Sequence, residues 1–433
     1  MFFGDIMFIN KILWFIATIM LVTSGIYFTI KLKGIQFRFI KMFKSLFSKE
    51  KEDGIKSIDT LMMVLAGRIG VGSIAGVALA IHLGGIGSIF WMWIIAIISA
   101  SLSYSETVLG IKYKEKDYDN IYKGGPSYYI KNGLNNKKLG SIYAILIILS
   151  YVGCFLSIQS NTITKSINQI ITINPIIIGF LISICTMLII FGGIKRIAYF
   201  SSKIVPFMTI SYILIAFYCV ITNINMVPNI FINIIKSAFN FKSLFTGFIP
   251  TLIVGIQRGI FSNEAGLGTG AIASSTVNTN NYKKQGYIQM IGVYITTMLI
   301  CTSTALIILT SNYNTLNLKD INGIEITQYA FKYHLGDFGN YVIFLMIILF
   351  SFTTILTGYY DGESSLKYFF HNIKKSYLMI LKILTIIVLF VGCSIKSSTI
   401  WLYVDILVAL EAIINIYALY KLRKRVVYNL YNN

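Results

Sequence analysis

Long apolar runs recur along the chain, separated by short polar linkers rich in lysine. A membrane-crossing helix needs about 20 predominantly apolar residues. On that criterion the pattern predicts eleven spans, at residues 11–31, 58–82, 85–111, 140–164, 174–194, 198–222, 246–274, 286–311, 338–362, 376–394 and 398–420. The first run, "ILWFIATIMLVTSGIYFTI", exceeds the length of a signal-peptide core, and no small-residue cleavage site follows it. It reads as a retained helix. The expected class is therefore an all-α integral membrane protein, one domain over residues 1–433.

Two of these runs are interrupted in the same way. "LAGRIGVGSIAGVALAI" (65–81) carries Gly67, Arg68, Gly70, Gly72 and Gly76, and "GIQRGIFSNEAGLGTGAIA" (255–273) carries Arg258 followed by Gly259, Gly266, Gly268 and Gly270. Ala75-Gly76 follows Arg68 at the offset at which Ala265-Gly266 follows Arg258. Glycine costs about 1 kcal/mol relative to alanine in a helix interior. A buried arginine costs several more unless it is paired. Gly72 and Gly76 alone could be a small-residue packing face. Two matched runs, each with an arginine, point instead to helices unwound at mid-membrane, where freed backbone groups can line a cavity or a solute.

The linkers can be sided by their charge. If the linker after the first span is cytoplasmic, 28 of the 37 Lys and Arg fall on cytoplasmic linkers. The seven on the other side are Lys11, Lys165, Lys236, Lys242, Lys319, Lys332 and Lys396, and Arg68 and Arg258 lie within spans. That split obeys the positive-inside rule. It places the N-terminus outside and the C-terminus in the cytoplasm of a cell whose plasma membrane holds the chain. It also divides the remainder into a leading helix, 11–31, and two five-span blocks, 58–222 and 246–420, of opposite orientation. Each block begins with an interrupted span. Inverted repeats with broken helices in matching positions are the mark of secondary transporters, in which half-helix N-termini favour a carboxylate and free carbonyls favour a cation.

Composition sharpens this picture. The chain is 56% hydrophobic and 12% charged, with a net charge of +20, and its mean hydropathy is +0.72. A soluble domain carries about 25% charged residues. The positive charge points to the membrane surface, not to nucleic acid. The linker "KLKGIQFRFIKMFKSLF" (31–47) reads as an amphipathic helix on the cytoplasmic leaflet. Cys154, Cys185, Cys219, Cys301 and Cys393 are scattered and suggest neither disulfides nor a metal site. His82, His334 and His371 lie far apart, without ligand spacing, and read as interfacial residues. There is no nucleophile elbow or phosphate-binding loop, so no enzyme is expected. A channel is disfavoured because the repeats lie within one chain rather than between subunits.

At these residues the chain resembles the alanine/glycine:cation symporter family, part of the amino acid–polyamine–cation superfamily. The similar segments are "GVGSIAGVALAIHLGGIGSIFWMW" (70–93), "GGPSYYIKNGL" (124–134), "QRGIFSNEAGLGTGAIA" (257–273) and "WLYVDILVALEAIINIYAL" (401–419). The resemblance implies the inverted five-plus-five fold of the bacterial leucine transporter. It implies import of a small neutral amino acid, alanine or glycine, driven by a sodium gradient, by a monomer in lipid, with no cofactor beyond the coupling ion. Carried over residue by residue, the amides of Gly70, Val71, Gly72 and Ser73 would face the substrate carboxylate. Gln159 would offer donors and an acceptor to the zwitterion, with an interhelical hydrogen bond as its other reading. Phe261, Asn263, Gly266 and Gly268 would line the site from the second break. For sodium, the hydroxyls of Thr353 and Thr354 would stand opposite the carbonyls of Ala66 and Ile69. Oxygen ligands of that kind suit a hard monovalent cation.

The chain departs from the family's usual residues at Val71, Ser73, Gly358 and 269–271. Asp405 and Glu411, within the last span, keep proton coupling open as an alternative. Arg68 and Arg258 need acceptors, for which the break carbonyls, Glu106 and Glu264 are candidates. Arg258 with Glu264 is the favoured pair, and contact with substrate ammonium is the second reading of Glu264.

Overall fold

Apolar runs in lipid must satisfy their own backbone groups, and only helices do so within one segment. The computed structural model describes residues 2–48, 55–117, 120–241, 244–279, 281–313, 323–370 and 373–431, and it is almost entirely helical. Lys49, Lys51, Lys242, Lys319 and His371 lie outside the described residues. The first half of the chain comprises α1 (Phe2–Lys31), α2 (Phe39–Leu46), α3 (Ser57–Arg68), α4 (Val71–Gly84), α5 (Ser88–Lys112), α6 (Pro126–Gly133), α7 (Lys137–Ile147), α8 (Leu156–Asn168), α9 (Pro175–Ile190), α10 (Gly193–Thr222) and α11 (Val227–Ala238). The second comprises α12 (Ile249–Asn263), α13 (Thr269–Ser274), α14 (Tyr282–Val293), α15 (Thr302–Leu309), α16 (Gly323–Leu335), α17 (Asp337–Lys367), α18 (Lys375–Gly392) and α19 (Ser397–Tyr431). A two-stranded antiparallel hairpin, β1 (Glu115–Lys116) and β2 (Tyr122–Lys123), follows α5.

Among the described residues, nine helical stretches are long and apolar enough to cross a membrane. Two of the eleven expected runs fall short. α9 has only 16 residues. The run at 246–274 is cut into α12 and α13. π-helical turns join α7 to α8 (Ile148–Phe155) and α14 to α15 (Tyr294–Cys301). They widen the helix locally beside the breaks, as such turns often do near functional sites.

Both interrupted runs are broken. Between α3 and α4, Gly70 is extended (φ −125°, ψ −155°). Between α12 and α13, Glu264, Gly266 and Gly268 have φ of +54°, +103° and +94°. Such values suit glycine and are costly for other residues, so Gly266 and Gly268 make the second break possible. α12 packs along α4, and α13 packs along α3. The first half of each broken helix thus meets the second half of the other, which makes the two run antiparallel. α5, α10, α14 and α17 surround them, so the α3–α4 stretch is enclosed on nearly all sides, whereas α1 and α18 show most of their surface outward.

The linkers sort into two ends. At one, Gly87 N–H bonds Ser237 Oγ at 3.2 Å, Thr251 bonds the Gly84 carbonyl at 2.7 Å, and His334 sits 3.4 Å from Asn223. At the other, Lys367 meets Asp117 at 3.4 Å and Lys114 donates to the carbonyls of Val277 and Thr279 at 2.8 and 2.7 Å. These groupings match the two sides assigned from charge. α2 leaves Phe39, Ile40 and Phe43 exposed beside Lys41 and Lys44, while Met42 is buried, consistent with a helix lying at the membrane surface.

Candidate functional site

The first break presents donors and acceptors in a small volume. The Val71 N–H, freed at the start of α4, donates to Gln159 Oε1 of α8 at 3.3 Å. Ser73 Oγ donates to the Arg68 carbonyl at 3.2 Å and lies 3.4 Å from Ser262 Oγ of the second broken helix. Ser262 in turn contacts Cys301 Sγ at 2.9 Å. A Cβ on Gly72 would fall 2.8 Å from Phe261 Cδ1, so only glycine lets this ring lie against the break. Gly70, Val71, Gly72, Ser73, Gln159 and Phe261 are thereby brought together, all buried.

Phe261 belongs to an aromatic column. Tyr151 stacks on Phe155 with centroids 4.4 Å apart, Phe155 on Phe261 at 4.8 Å, and Phe261 meets Trp401 at 4.9 Å. The Arg258 guanidinium caps the column, 4.7 Å from the Trp401 ring centre. Above it opens a cavity of about 340 Å³ lined by His82, Leu83, Gly323, Ser398, Trp401 and Asp405 among others. Trp401 and Arg258 line this cavity, and Phe261, which Trp401 meets, lies against the first break. Tyr151, Phe155 and Trp401 were not singled out from sequence. Single aromatics in apolar runs carry no signal until the helices are packed.

The ion-side expectation is divided. Thr354 Oγ1 donates to the Ala66 carbonyl at 2.9 Å, with the Gly67 carbonyl at 3.4 Å and its own Phe350 carbonyl at 3.0 Å. Thr353 turns elsewhere, bonding the Phe350 carbonyl at 3.0 Å and approaching Met208 Sδ at 3.8 Å. Adjacent helix residues point about 100° apart, so one of the pair faces the break and the other faces α10. Ile69 is fully buried at the break and its N–H bonds the Leu65 carbonyl at 2.7 Å.

The residues named on the second break hold that break itself. Asn263 Oδ1 caps the Ala265 N–H at 2.9 Å, and its Nδ2 donates to Thr297 at 3.1 Å. The Gly266 N–H donates to Glu106 at 2.9 Å, and its carbonyl accepts from Asn415 at 2.9 Å. A Cβ on Gly268 would strike Pro126 and lie 3.1 Å from Asn415. Asn263, Gly266 and Gly268 thus face α5, α6, the π-helical turn after α14, and α19 rather than the Gly70–Ser73 turn. Glu264 accepts from Tyr151 at 3.0 Å and from Thr269 at 2.8 Å.

Of the two arginines, Arg258 has the carboxylate partner expected of at least one of them, though it is a different acid, and Arg68 has none in direct contact. Arg258 forms a salt bridge at 2.7 Å, with Asp405 rather than Glu264. The left-handed turn at Glu264 carries that carboxylate away from α12. Arg68 is buried and donates to the Gln289 carbonyl and to Ser103 Oγ, both at 3.3 Å. It uses neither break carbonyls nor a direct carboxylate contact. Asp405, one half of an ion pair, is no longer a free acid in the last span.

A sequence profile described as the Sodium:alanine symporter family matches residues 4–432. The chain belongs to that family. Relatives of this sodium:alanine symporter family member include the probable sodium/glutamine symporter GlnT of Bacillus subtilis, 37% identical over 96% of this chain and 87% of that protein. Another is the sodium/alanine symporter AgcS of Methanococcus maripaludis, 33% identical over 95% of this chain and 92% of that protein. Among solved structures, MhsT in complex with L-phenylalanine superposes with a TM-score of 0.62 at 13% identity, covering 88% of this chain and 96% of that one. A Na+-coupled sialic acid symporter superposes at 0.55, also at 13% identity, over 94% and 82%. At such identity these two speak to fold alone, the leucine-transporter fold. The family member is a multi-pass membrane transporter.

Proposed function

We propose that this protein imports a small neutral amino acid, alanine or glycine, together with sodium, by alternating access. The carrying observation is the first break. There the Ala66 carbonyl, met by the Thr354 hydroxyl, lies five residues before the Val71 amide, met by Gln159; the first two are oxygens suited to a hard cation, the last two groups suited to a carboxylate and an ammonium. One unwound turn can therefore hold the ion and the zwitterion side by side, so each stabilises binding of the other. The buried Phe261 ring, met by the half-buried Trp401, limits the room beside Gly72, which favours a small side chain. In this reading the chain has eleven spans, a leading helix and two inverted five-span repeats, 58–222 and 246–420. The antiparallel packing of α3–α4 against α12–α13 and the sorting of linkers into two ends support it. The N-terminus is outside the plasma membrane, the C-terminus cytoplasmic, and the monomer is the working unit.

The test is uptake of labelled alanine into proteoliposomes with and without an inward sodium gradient. Gradient-driven accumulation, competed by glycine and not by large amino acids, is expected. Uptake indifferent to sodium, or competed equally by phenylalanine, would overturn the reading.

A further inference from the structure

Four carboxyl side chains are buried around the second break: Glu106, Glu264, Asp361 and Glu411. They are not equivalently satisfied. Arg68 has Glu264 and Glu106 as its acidic neighbours. Glu106 also accepts from the Gly266 N–H at 2.9 Å and Asn415 at 2.6 Å. Glu264 accepts from Tyr151 and Thr269. By contrast, the charged groups that Asp361 feels are Glu264 and Glu411, and the one that Glu411 feels is Glu264. All are of one sign. The other titratable groups facing the pair are uncharged at neutral pH: Tyr143 and Tyr151 face both acids, Tyr360 faces Asp361, and Cys154 faces Glu411. On α17 itself, Lys367 is engaged with Glu363 and Asp117, and Lys123 lies with the same two acids.

Glu411 Oε1 accepts from Ser150, while Glu411 Oε2 and Asp361 Oδ1 are buried with no partner. Glu106 Oε2 is likewise unpartnered, but Glu106 has the Arg68 guanidinium as a neighbour and the other two acids have no cation. Glu411 is 0% and Asp361 6% exposed, so Glu411 is closed off from water and Asp361 nearly so. A buried carboxylate without a cation is avoided by taking up a proton, the more so beside acids of like sign.

We infer that Asp361 and Glu411 form a proton-binding site inside the membrane, holding at least one proton while the molecule is closed. Asp361 lies six residues before Lys367, the last residue of α17, which meets Asp117 beside the hairpin. When that half of the pathway opens, water reaches the pair, a carboxylate forms, and its proton passes to cytoplasmic water. The pair takes a proton back from the same water on closing, so no net proton crosses. The direction of release rests on the sidedness proposed above. The occupancy of the site does not.

Two measurements test this. The first is the infrared spectrum of the purified protein at neutral pH. The carbonyl stretch of a protonated carboxylic acid is expected in the wild type, diminished in Asp361→Asn and in Glu411→Gln and more so in the double variant. Because the amides mimic the neutral acid, the unfolding temperature at neutral pH should hardly change. Absence of the band in the wild type, an undiminished band in the double variant, or a steep loss of stability in both amides would overturn the site. The second is alanine uptake by the double variant against wild type while cytoplasmic-side pH is varied, with a pH dye reporting proton movement. Wild-type uptake should depend on that pH, and the variant's dependence should flatten. An unflattened dependence, or stoichiometric proton entry with alanine, would overturn the exchange step. Failure of sodium-driven uptake in the wild type would reject the proposed function and leave the infrared result to decide the site.

Discussion

Replacing Gly72 by alanine probes the contact on which the proposed substrate pocket depends. The new methyl would lie 2.8 Å from Phe261 Cδ1 and 3.1 Å from Cε1. Carbon atoms prefer about 3.5–4.0 Å, so the ring must yield by about 0.7 Å. It has little room, since Phe155 is stacked 4.8 Å away and Trp401 lies 4.9 Å away. Overpacking of this kind costs about 1–3 kcal/mol. Alanine recovers up to about 1 kcal/mol through its better helix propensity. The net loss of stability is then between about zero and 2 kcal/mol, a small fall in unfolding temperature. Substrate packing beside the displaced ring meets the full strain, and 1–3 kcal/mol corresponds to about 5- to 150-fold weaker binding. The assay is equilibrium binding of labelled alanine to purified protein at saturating sodium, alongside thermal unfolding. Combining Gly72→Ala with Phe261→Leu removes the clashing ring edge, so the two changes should be markedly non-additive. Wild-type alanine affinity in a folded Gly72→Ala protein would refute the reasoning.

Three further outcomes are expected. Thr354→Val removes the hydroxyl 2.9 Å from the Ala66 carbonyl; loss of one such interaction, about 0.5–1.5 kcal/mol, should raise the sodium concentration for half-maximal uptake about two- to tenfold. Thr353→Val should leave it nearly unchanged, because that hydroxyl bonds its own helix, and the reverse ranking would move the ion site. Asp405→Asn strands a buried guanidinium and should cost about 3–5 kcal/mol; in thermal unfolding, Arg258→Met with Asp405→Leu should be less damaging than either change alone. Cysteine placed at Lys283 should react with impermeant maleimide only after the cytoplasmic side is opened, and labelling of intact cells would break the proposed sidedness.

The broad architecture was legible because membrane insertion is a local property. Run length, the clustering of lysines in alternate linkers and the glycines at 67–76 and 259–270 can each be read within a short window, and lipid enforces them segment by segment. The broken helices came out at Gly70 and at Glu264–Gly268, where the glycines stand. The likeness of "RGIFSNEAGLG" to its family was equally local. What only packing decided was partnership between distant positions. Arg258 finds Asp405, 147 residues on, because α12 and α19 are brought side by side while the turn at Glu264 swings the nearer acid away. Thr354 rather than Thr353 meets Ala66, 288 residues back, because the helix rotation of α17 selects one of two adjacent hydroxyls. The aromatic column from Tyr151 to Trp401, and the unmatched pair of Asp361 and Glu411, draw on helices far apart in sequence. A chain's composition states which residues will be buried in lipid. Which of them then touch is set by the complementarity of whole helix faces, and that exists only once the helices have assembled.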